Sequence, residues 1–380
     1  MNSTHKTPLS YLCAQTVLNY VGFSLRTTLS KKCPGFVTLH KFSPARIQRL
    51  SLDKNRIEVD HTIYGVSVIR IRKEGEPSEH VKGMNSKGGW ECDLDEYGFA
   101  EGERIYSVDD LEKTLARAEM QLEKDLSTAN PKAAEAIKKN FNREHRDKSD
   151  KIEALKLKAG NLPSAYDQYI RMVVISSKFK IVEYVKYTRK LHKAMEYLMS
   201  KIFGHSIMSN KKIIVGDLTI EDGASVYLET ISPRINYEDH PLNTITTVGG
   251  NYVEFPIVGS ADLHVIKGGN FINRSNALRV HFKIDRFHVN DFYNLLEYLK
   301  RGNCPIGKHI SIIYVYMIFF ALRSIPNSVR GTFPGDKNPI RCYTVRHGNP
   351  RKEINCFFVR KPLMTELHIK IHPRGFATKY

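Results

Sequence analysis

The chain has 380 residues, 41% apolar and 26% charged, a composition that excludes disordered and fibrous proteins and is typical of one large globular domain or two to three smaller ones. The formal net charge is +18, and the excess lies at the ends: residues 1–50 contribute +7, residues 301–380 contribute +11, and residues 51–300 are balanced. Basic ends favour acidic partners: nucleic acid, an anionic membrane surface or an acidic protein.

The cysteines and the apolar runs predict an intracellular protein. Six cysteines are scattered without a C-x-x-C pair, which indicates reduced thiols. The first ten residues lack the apolar core of a signal peptide. The longest apolar run, from Ile310 to Leu322, is 13 residues, too short for the roughly 20 that a membrane helix needs. We therefore expect a cytoplasmic or nuclear protein with no membrane insertion.

The first 40 residues predict two or three short helices. Apolar side chains recur between Pro8 and Phe36 at steps of three, four and seven residues, which places them on one face of each helix. This segment contains no Asp or Glu. Because so short a segment cannot bury its apolar surface alone, it must pack on the rest of the chain or on another protein.

The next hundred residues predict strands, a loop and a charged helical region. Residues 46–73 alternate as strands do, with a turn near Asp53–Arg56. Ser107 and Asp110 have the spacing of a capping box, which predicts a helix that begins there. Pro131 interrupts this helix, and the stretch from Ala133 to Lys158 predicts a solvated helix or a disordered arm.

The second half predicts strands that alternate with helices. We expect strands at YIRMVVISS, KKIIVGDLTI, GASVYLETIS, ADLHVIKGG, NALRVHFKI, ISIIYVYMIF, CYTVRHG, NCFFVRK and ELHIKIH. We expect an amphipathic helix from Lys180 to a stop at Gly204 and a second helix at DFYNLLEYLKRGN. Strand patterns recur at intervals of about 20 to 30 residues, which indicates an irregular leucine-rich-type solenoid.

The predicted fold class is mixed α+β, with four regions. They are a helical module at 1–40, strands and a loop at 41–107 that pack on the C-terminal part, a charged helical linker or insertion at 108–160, and an α/β recruiting domain at 161–380.

Motifs for catalysis and for cofactors are absent from the sequence. It has no H-E-x-x-H, no Cys/His pairs at metal-ligand spacing, no phosphate-binding glycine loop and no G-x-S-x-G. The acidic group Glu91, Asp93, Asp95 and Glu96 offers oxygens to a cation, but a solvated loop is the favoured interpretation. We expect a non-enzymatic protein with no cofactor.

The basic C-terminal stretch RCYTVRHGNPRKEINCFFVRKP interleaves cations with Tyr343, Phe357 and Phe358. Cations next to aromatic rings bind single-stranded nucleic acid. A sheet with one basic, solvated face explains the same alternation, so both interpretations stay open.

The N-terminal segment resembles an F-box in the order Pro8-Leu9, Val17-Leu18, Tyr20, Leu25, Leu29, Lys31-Lys32, Cys33 and Phe36. With the blocks GGWECDLDEYGF and ISSKFKIVEYVKYTRKLHKAMEYLMSKIFG, the chain is similar to a nematode-expanded family with an F-box-like start and a C-terminal, F-box-associated-type domain of unknown function.

The resemblance implies a substrate adaptor of a Skp1-cullin-F-box ubiquitin ligase, with a Skp1-like protein and a protein substrate as partners. The residues expected to face the Skp1-like protein are Pro8, Leu9, Val17, Leu18, Tyr20, Leu25 and Leu29. Two alternatives stay open. The helices of a degenerate family member would pack on the chain's own strands, or the basic ends would bind nucleic acid.

Overall fold

The structure is a computed structural model. It describes residues 21–42, 45–103, 107–145, 147–208, 212–249, 252, 255–268, 275–283, 287–313, 322–323, 325, 327–335, 338–361 and 365–379. The chain divides into two compact units: unit 1 comprises Met1–His61 and Ile202–Tyr380, and unit 2 comprises Thr62–Lys201.

The described helices are α1 Phe23–Lys32, α2 Pro34–Phe42, α3 Glu79–Lys87, α4 Val108–Thr128, α5 Pro131–His145, α6 Lys148–Ala159, α7 Leu191–Met208, α8 Ser225–Ile231, α9 Pro256–Gly259 and α10 Val289–Arg301. None of these helices is both long enough and apolar enough to cross a membrane.

The described strands are β1 Arg46–Asp53, β2 Arg56–Val59, β3 Thr62–Arg72, β4 Tyr166–Ile175, β5 Lys180–Lys186, β6 Ile214–Ile220, β7 Thr244–Val248, β8 Leu263–Lys267, β9 Arg279–Lys283, β10 His309–Ile313, β11 Val329–Phe333, β12 Ile340–Arg346, β13 Lys352–Arg360, β14 Thr365–Pro373 and β15 Thr378–Lys379. Together with the helices, this mixed sheet structure confirms the α+β class.

Unit 1 is built around a parallel ladder. Strands β1, β6, β7, β8, β9 and β10 lie side by side, and each is parallel to the next. From β6 onward the order in space is the order in the chain. Beyond β10, the strands β14, β13, β12, β11 and β15 continue the sheet in antiparallel pairs.

The core of unit 1 lies on one face of this ladder. Burial alternates along β7, β8, β9 and β10, so every second side chain points into the core. Helix α10 covers these side chains with four buried residues, Phe292, Leu295, Leu296 and Leu299. Its apolar residues recur at steps of three and four, as expected for a helix with one buried face.

Unit 2 contains the antiparallel sheet β3-β4-β5. Arg70 of β3 is buried, and its guanidinium carbon lies 4.3 Å from the ring centre of Tyr166 and 5.6 Å from that of Trp90. A second apolar cluster joins a loop to α4 and α6 through Phe99, Leu111, Ile152, Ala154 and Leu155.

The helix predicted to begin at Ser107 is confirmed, because α4 begins at Val108 and the Ser107 hydroxyl accepts a hydrogen bond from the backbone N–H of Asp110 at 3.1 Å. Helices α4, α5 and α6 contain most of the described residues between 108 and 159. The strands predicted within 46–73 are present as β1, β2 and β3.

Two predicted elements are wrong. The segment at Lys180 is strand β5, the second strand of a hairpin with β4, and α7 begins only at Leu191 and continues past Gly204 to Met208. Pairing with β4 selects the strand, since the run IVEYV is β-branched and aromatic. The segment GASVYLETIS contains α8, in which Tyr227, Leu228 and Ile231 are buried. Steps of one and three residues place these side chains on one helical face.

Candidate interaction surface

Two of the seven residues predicted to face a Skp1-like protein lie in the described part of the chain. Leu25 and Leu29 are both in α1, where Leu25 is 57% exposed and Leu29 is half-buried. The other five, Pro8, Leu9, Val17, Leu18 and Tyr20, lie outside the described residues. Leu25 is therefore the described residue that best reports on this predicted surface.

The opposite face of α1 packs on unit 1. Phe23, Arg26 and Ser30 recur at steps of three and four residues, and all are buried. The ring centre of Phe23 lies 6.2 Å from that of Phe203 in α7. Burial lowers the pKa of Arg26 below its ordinary value. Helix α1 thus has one face against its own chain and one face, with Leu25, toward solvent.

The largest feature that sequence analysis missed is the second face of the parallel ladder, which we call the open ladder face. Its side chains are half-buried or exposed, in contrast to the fully buried residues that alternate with them. One register row contains Asp217, Thr244, Leu263, Arg279, His309 and Lys370. The next contains Thr219, Thr246, Val265, His281, Ser311 and His368.

Charge on the open ladder face is uneven. The β6 and β7 side presents threonines and Asp217, whereas the β9 and β14 side presents Arg279 and Lys370. Lys267 and Lys283 lie directly opposite each other where β8 and β9 end. Cations that are side by side on neighbouring strands repel each other unless an anion is close. This half of the face therefore favours an acidic ligand.

A chain of hydrogen bonds crosses the basic half. Nε2 of His309 lies 2.8 Å from Nδ1 of His368, whose Nε2 lies 3.2 Å from the Glu366 carboxylate. Lys361 donates to the other carboxylate oxygen at 2.6 Å. If the His368 Nε2–H donates to Glu366, then His368 Nδ1 accepts a hydrogen bond from the Nε2–H of His309. Such a chain holds the rings in a fixed orientation.

The pKa values of these groups keep the two histidines neutral. Burial lowers the pKa of His309 to about 3, with a further contribution from Lys370. Burial also lowers the pKa of His368. Burial opposes ionisation of Glu366, but the hydrogen bonds and charges of Lys361 and His368 together outweigh it and hold the pKa of that carboxyl below its ordinary value. The positive charge of this half therefore comes from its lysines and arginine.

A serine and a histidine are paired on the same face, since Ser311 Oγ lies 2.7 Å from Nδ1 of His281. Nucleophilic catalysis needs a third group that orients the histidine and donors for an oxyanion. None of the described residues is hydrogen-bonded to the second ring nitrogen of His281. We interpret the pair as a cross-strand contact between β9 and β10.

A buried polar network supports the ladder from within. His264 of β8 lies 3.0 Å from the Thr247 hydroxyl and 2.8 Å from the Ser275 hydroxyl, so both ring nitrogens are paired. The buried Lys308 donates to the backbone carbonyls of Ser275 and Ala277. Burial and, to a smaller extent, the charge of Lys308 lower the pKa of His264 to about 4. This network ties the chain before β9 to β8 and to the residue before β10.

The aspartates of the acidic loop in unit 2 make hydrogen bonds that hold the loop in place. Asp95 accepts hydrogen bonds from the backbone N–H groups of Tyr97 and Phe99 and from Lys158. Asp93 accepts from the hydroxyl of Tyr187 and from the N–H of Leu191. Among the described residues, no group of three or more His, Cys, Asp and Glu side chains is placed to hold a metal ion. These contacts favour the structural interpretation of the loop over a cation site.

The aromatic residues of the C-terminal basic stretch belong mainly to the interior. Phe357 is buried, and its ring centre lies 5.0 Å from that of Phe333. Tyr343 and Phe358 are half-buried against the core of unit 1. Arg341, Arg346 and Arg360 are exposed. The stretch thus has buried rings and solvated cations, an arrangement that favours a basic sheet edge over a stacking platform for bases.

Comparison with protein families gives one match, a family described as a domain of unknown function (DUF3557), over residues 205–314. These residues run from the end of α7 through β10 and so include five of the six strands of the parallel ladder. The search of curated proteins and the search of solved structures each gave no match.

Proposed function

We propose that this protein is a non-enzymatic protein-interaction adaptor that binds a protein ligand on its open ladder face. One observation supports this most strongly: helix α10 packs on one face of the parallel ladder, while the side chains in the two register rows of the other face are half-buried or exposed. Repeat proteins that stack successive units along the chain use such extended surfaces to bind partners. The basic half of the face, with Arg279 and Lys370, favours an acidic protein.

The proposal includes a leucine-rich-like repeat architecture for the ladder. Strands β6 to β10 stack in chain order, and each contacts its neighbours in sequence, as the units of a solenoid do. The starts of β6, β7, β8, β9 and β10 are unevenly spaced. We attribute the uneven period to differences in the connecting segments, which include the short α8 and α9 and the longer α10.

The proposal also includes an F-box-like role for the N-terminal segment, in which it docks on a Skp1-like protein and delivers the bound ligand for ubiquitylation. Two features support it. Leu25 is exposed on α1 although it is apolar, and residues 1–50 carry +7 without an acid. A basic, acid-free segment would associate quickly with an acidic partner. The burial of Phe23 and Arg26 supports the alternative in which α1 packs within its own chain and does not bind a Skp1-like protein.

The test is a titration of the full chain with a purified Skp1-type protein, followed by size-exclusion chromatography and calorimetry. We expect a 1:1 complex at roughly 10 μM protein. Leu25→Asp should weaken it at least about tenfold, because a carboxylate would lose its water in an apolar interface. Leu162→Asp, a matched change at a leucine that is 53% exposed in unit 2, is the control and should bind normally.

Two outcomes would count against the Skp1 part of the proposal. One is the absence of a complex with the wild-type chain. The other is equal binding by the Leu25→Asp and wild-type chains, together with strong hydrogen-exchange protection of α1 without a partner. That second result would assign α1 to the packing of unit 1.

A further inference from the structure

Strand β5 of unit 2 is an exposed edge. Among the described residues it pairs only with β4, and six of its seven residues are exposed. Ile181 and Tyr184 are 51% and 57% exposed, and the neighbouring Phe179 and Val185 are exposed too. An edge strand with apolar side chains and free backbone groups is a template for pairing with another strand.

The hydrogen-bond pattern shows which backbone groups of β5 are available. The N–H of Tyr187 donates to Gln168, and the carbonyl of Phe179 accepts from Ser176, so the odd-numbered residues face β4. Antiparallel ladders alternate, and the even-numbered residues therefore direct their N–H and C=O groups away from β4. Four residues therefore have backbone groups that no strand among the described residues pairs with and that a new strand could bind: Lys180, Val182, Tyr184 and Lys186.

Charges along β5 select the occupant. Lys180 and Lys186 are exposed at its two ends, with Glu183 at its centre, and none of the three is in an ion pair with another described residue. If a second copy paired over the full length of β5, Lys180 would oppose Lys186 and Glu183 would oppose itself. Like charges directly opposite each other are destabilising. The edge is therefore poorly suited to itself and suits a strand with acidic ends.

We propose that β5 binds an extended segment of a partner protein by strand addition, and that this segment has an acidic residue at each end of a β-branched, uncharged centre. Backbone hydrogen bonds to the even-numbered residues supply affinity, and Lys180 and Lys186 supply specificity. This proposal concerns unit 2 alone and does not depend on the open ladder face or on a Skp1-like partner.

The test uses the full chain and a fluorescent heptapeptide, ETVTVTE. We expect saturable binding with a Kd of roughly 100 μM or tighter. The charge-reversed peptide KTVTVTK and a copy of ETVTVTE that is N-methylated at the valine opposite Tyr184 should each bind at least about tenfold more weakly. In hydrogen exchange, ETVTVTE should protect residues 180–186.

Two variants separate the backbone contribution from the charges. Val182→Pro removes an N–H that faces away from β4, so it should abolish peptide binding and keep the β4–β5 pair. The double variant Lys180→Glu with Lys186→Glu leaves the backbone unchanged and should prefer KTVTVTK to ETVTVTE. The second variant keeps the test decisive if the proline disturbs the fold.

Three results would overturn the proposal. They are equal binding of ETVTVTE and KTVTVTK by the wild-type chain, an unchanged preference in the double lysine variant, and protection that appears away from residues 180–186. A dimer of the wild-type chain that Val182→Pro dissociates would also contradict it, because the occupant would then be a second copy.

Discussion

Phe292→Ala is expected to lower the free energy of unfolding of unit 1 by about 3–5 kcal/mol, the usual cost of removing a buried phenyl ring from a packed core. Phe292 is fully buried in α10 and belongs to the cluster that includes Val280, Phe282 and Ile312 of the ladder. Without the ring, the helix would lose one of its four buried side-chain contacts with the core, and a cavity would remain. Chemical denaturation that is followed by circular dichroism measures the change.

The matched control is Asn294→Ala, at an exposed position two residues along the same helix. It should change the free energy of unfolding by less than about 0.5 kcal/mol, as surface substitutions usually do. A cost below about 1 kcal/mol for Phe292→Ala would mean that α10 is not packed on the ladder, and the open ladder face would then lose its rigid support.

Acid should destabilise the protein between about pH 6.5 and pH 4, in part through His264. The pKa of this histidine is about 4 in the folded chain, against the ordinary 6.5, because the ring is buried beside Lys308. Below pH 6.5 the unfolded chain takes up a proton that the folded chain does not. The contribution of His264 to the free energy of unfolding is therefore complete above pH 6.5. Below pH 6.5 this contribution falls by up to about 1.4 kcal/mol per pH unit, and about 3 kcal/mol is lost by pH 4.

His264→Gln tests this contribution, because glutamine can still bond to Thr247 and Ser275 and does not titrate. Between pH 6.5 and pH 4 the free energy of unfolding of the variant should fall less steeply with decreasing pH than that of the wild type. The difference in slope should correspond to the uptake of about one proton on unfolding, about 1.4 kcal/mol per pH unit. His240→Gln, a change at an exposed histidine, is the control. An unchanged slope in His264→Gln would show that the ring is not buried as a neutral group.

Local patterns in the sequence predicted much of the ladder. Strands β6, β8, β9 and β10 were expected because apolar residues alternate within them and turn residues flank them. The start of α4 was expected because Ser107 and Asp110 are close in sequence. Strand alternation and helix starts depend on residues that are a few positions apart, and so they can be predicted from a single sequence.

Features that depend on distant contacts were missed. The run after Phe179 has apolar residues that suit a helix or a strand, and its pairing with β4 decides between them. Likewise, GASVYLETIS forms α8 because its apolar side chains reach the core of unit 1 when they share one helical face. Local propensity is weak next to tertiary packing in such segments.

The candidate sites were even harder to predict from the sequence, because they depend on which strands are neighbours in the sheet. Threonines at Thr219 and Thr246 look like ordinary strand residues, and only the register of the ladder shows that they share one row with Val265, His281 and Ser311. The exposed edge of β5 was hidden because the segment was predicted to be a helix. The resemblance of the N-terminal segment to an F-box rests on motif order alone, and five of the seven residues expected to face a partner lie outside the described residues.

A photo-cross-linking experiment tests the central proposal, that a protein ligand binds on the open ladder face. A benzophenone amino acid is placed at Thr246 on this face, or at Asn294 on the helical side as a control, and the full chain is irradiated in cells that express it. We predict that Thr246 cross-links a protein, that Asn294 does not, and that Arg279→Glu reduces the yield at Thr246. Equal yields from both positions, or a yield that Arg279→Glu leaves unchanged, would contradict the proposal.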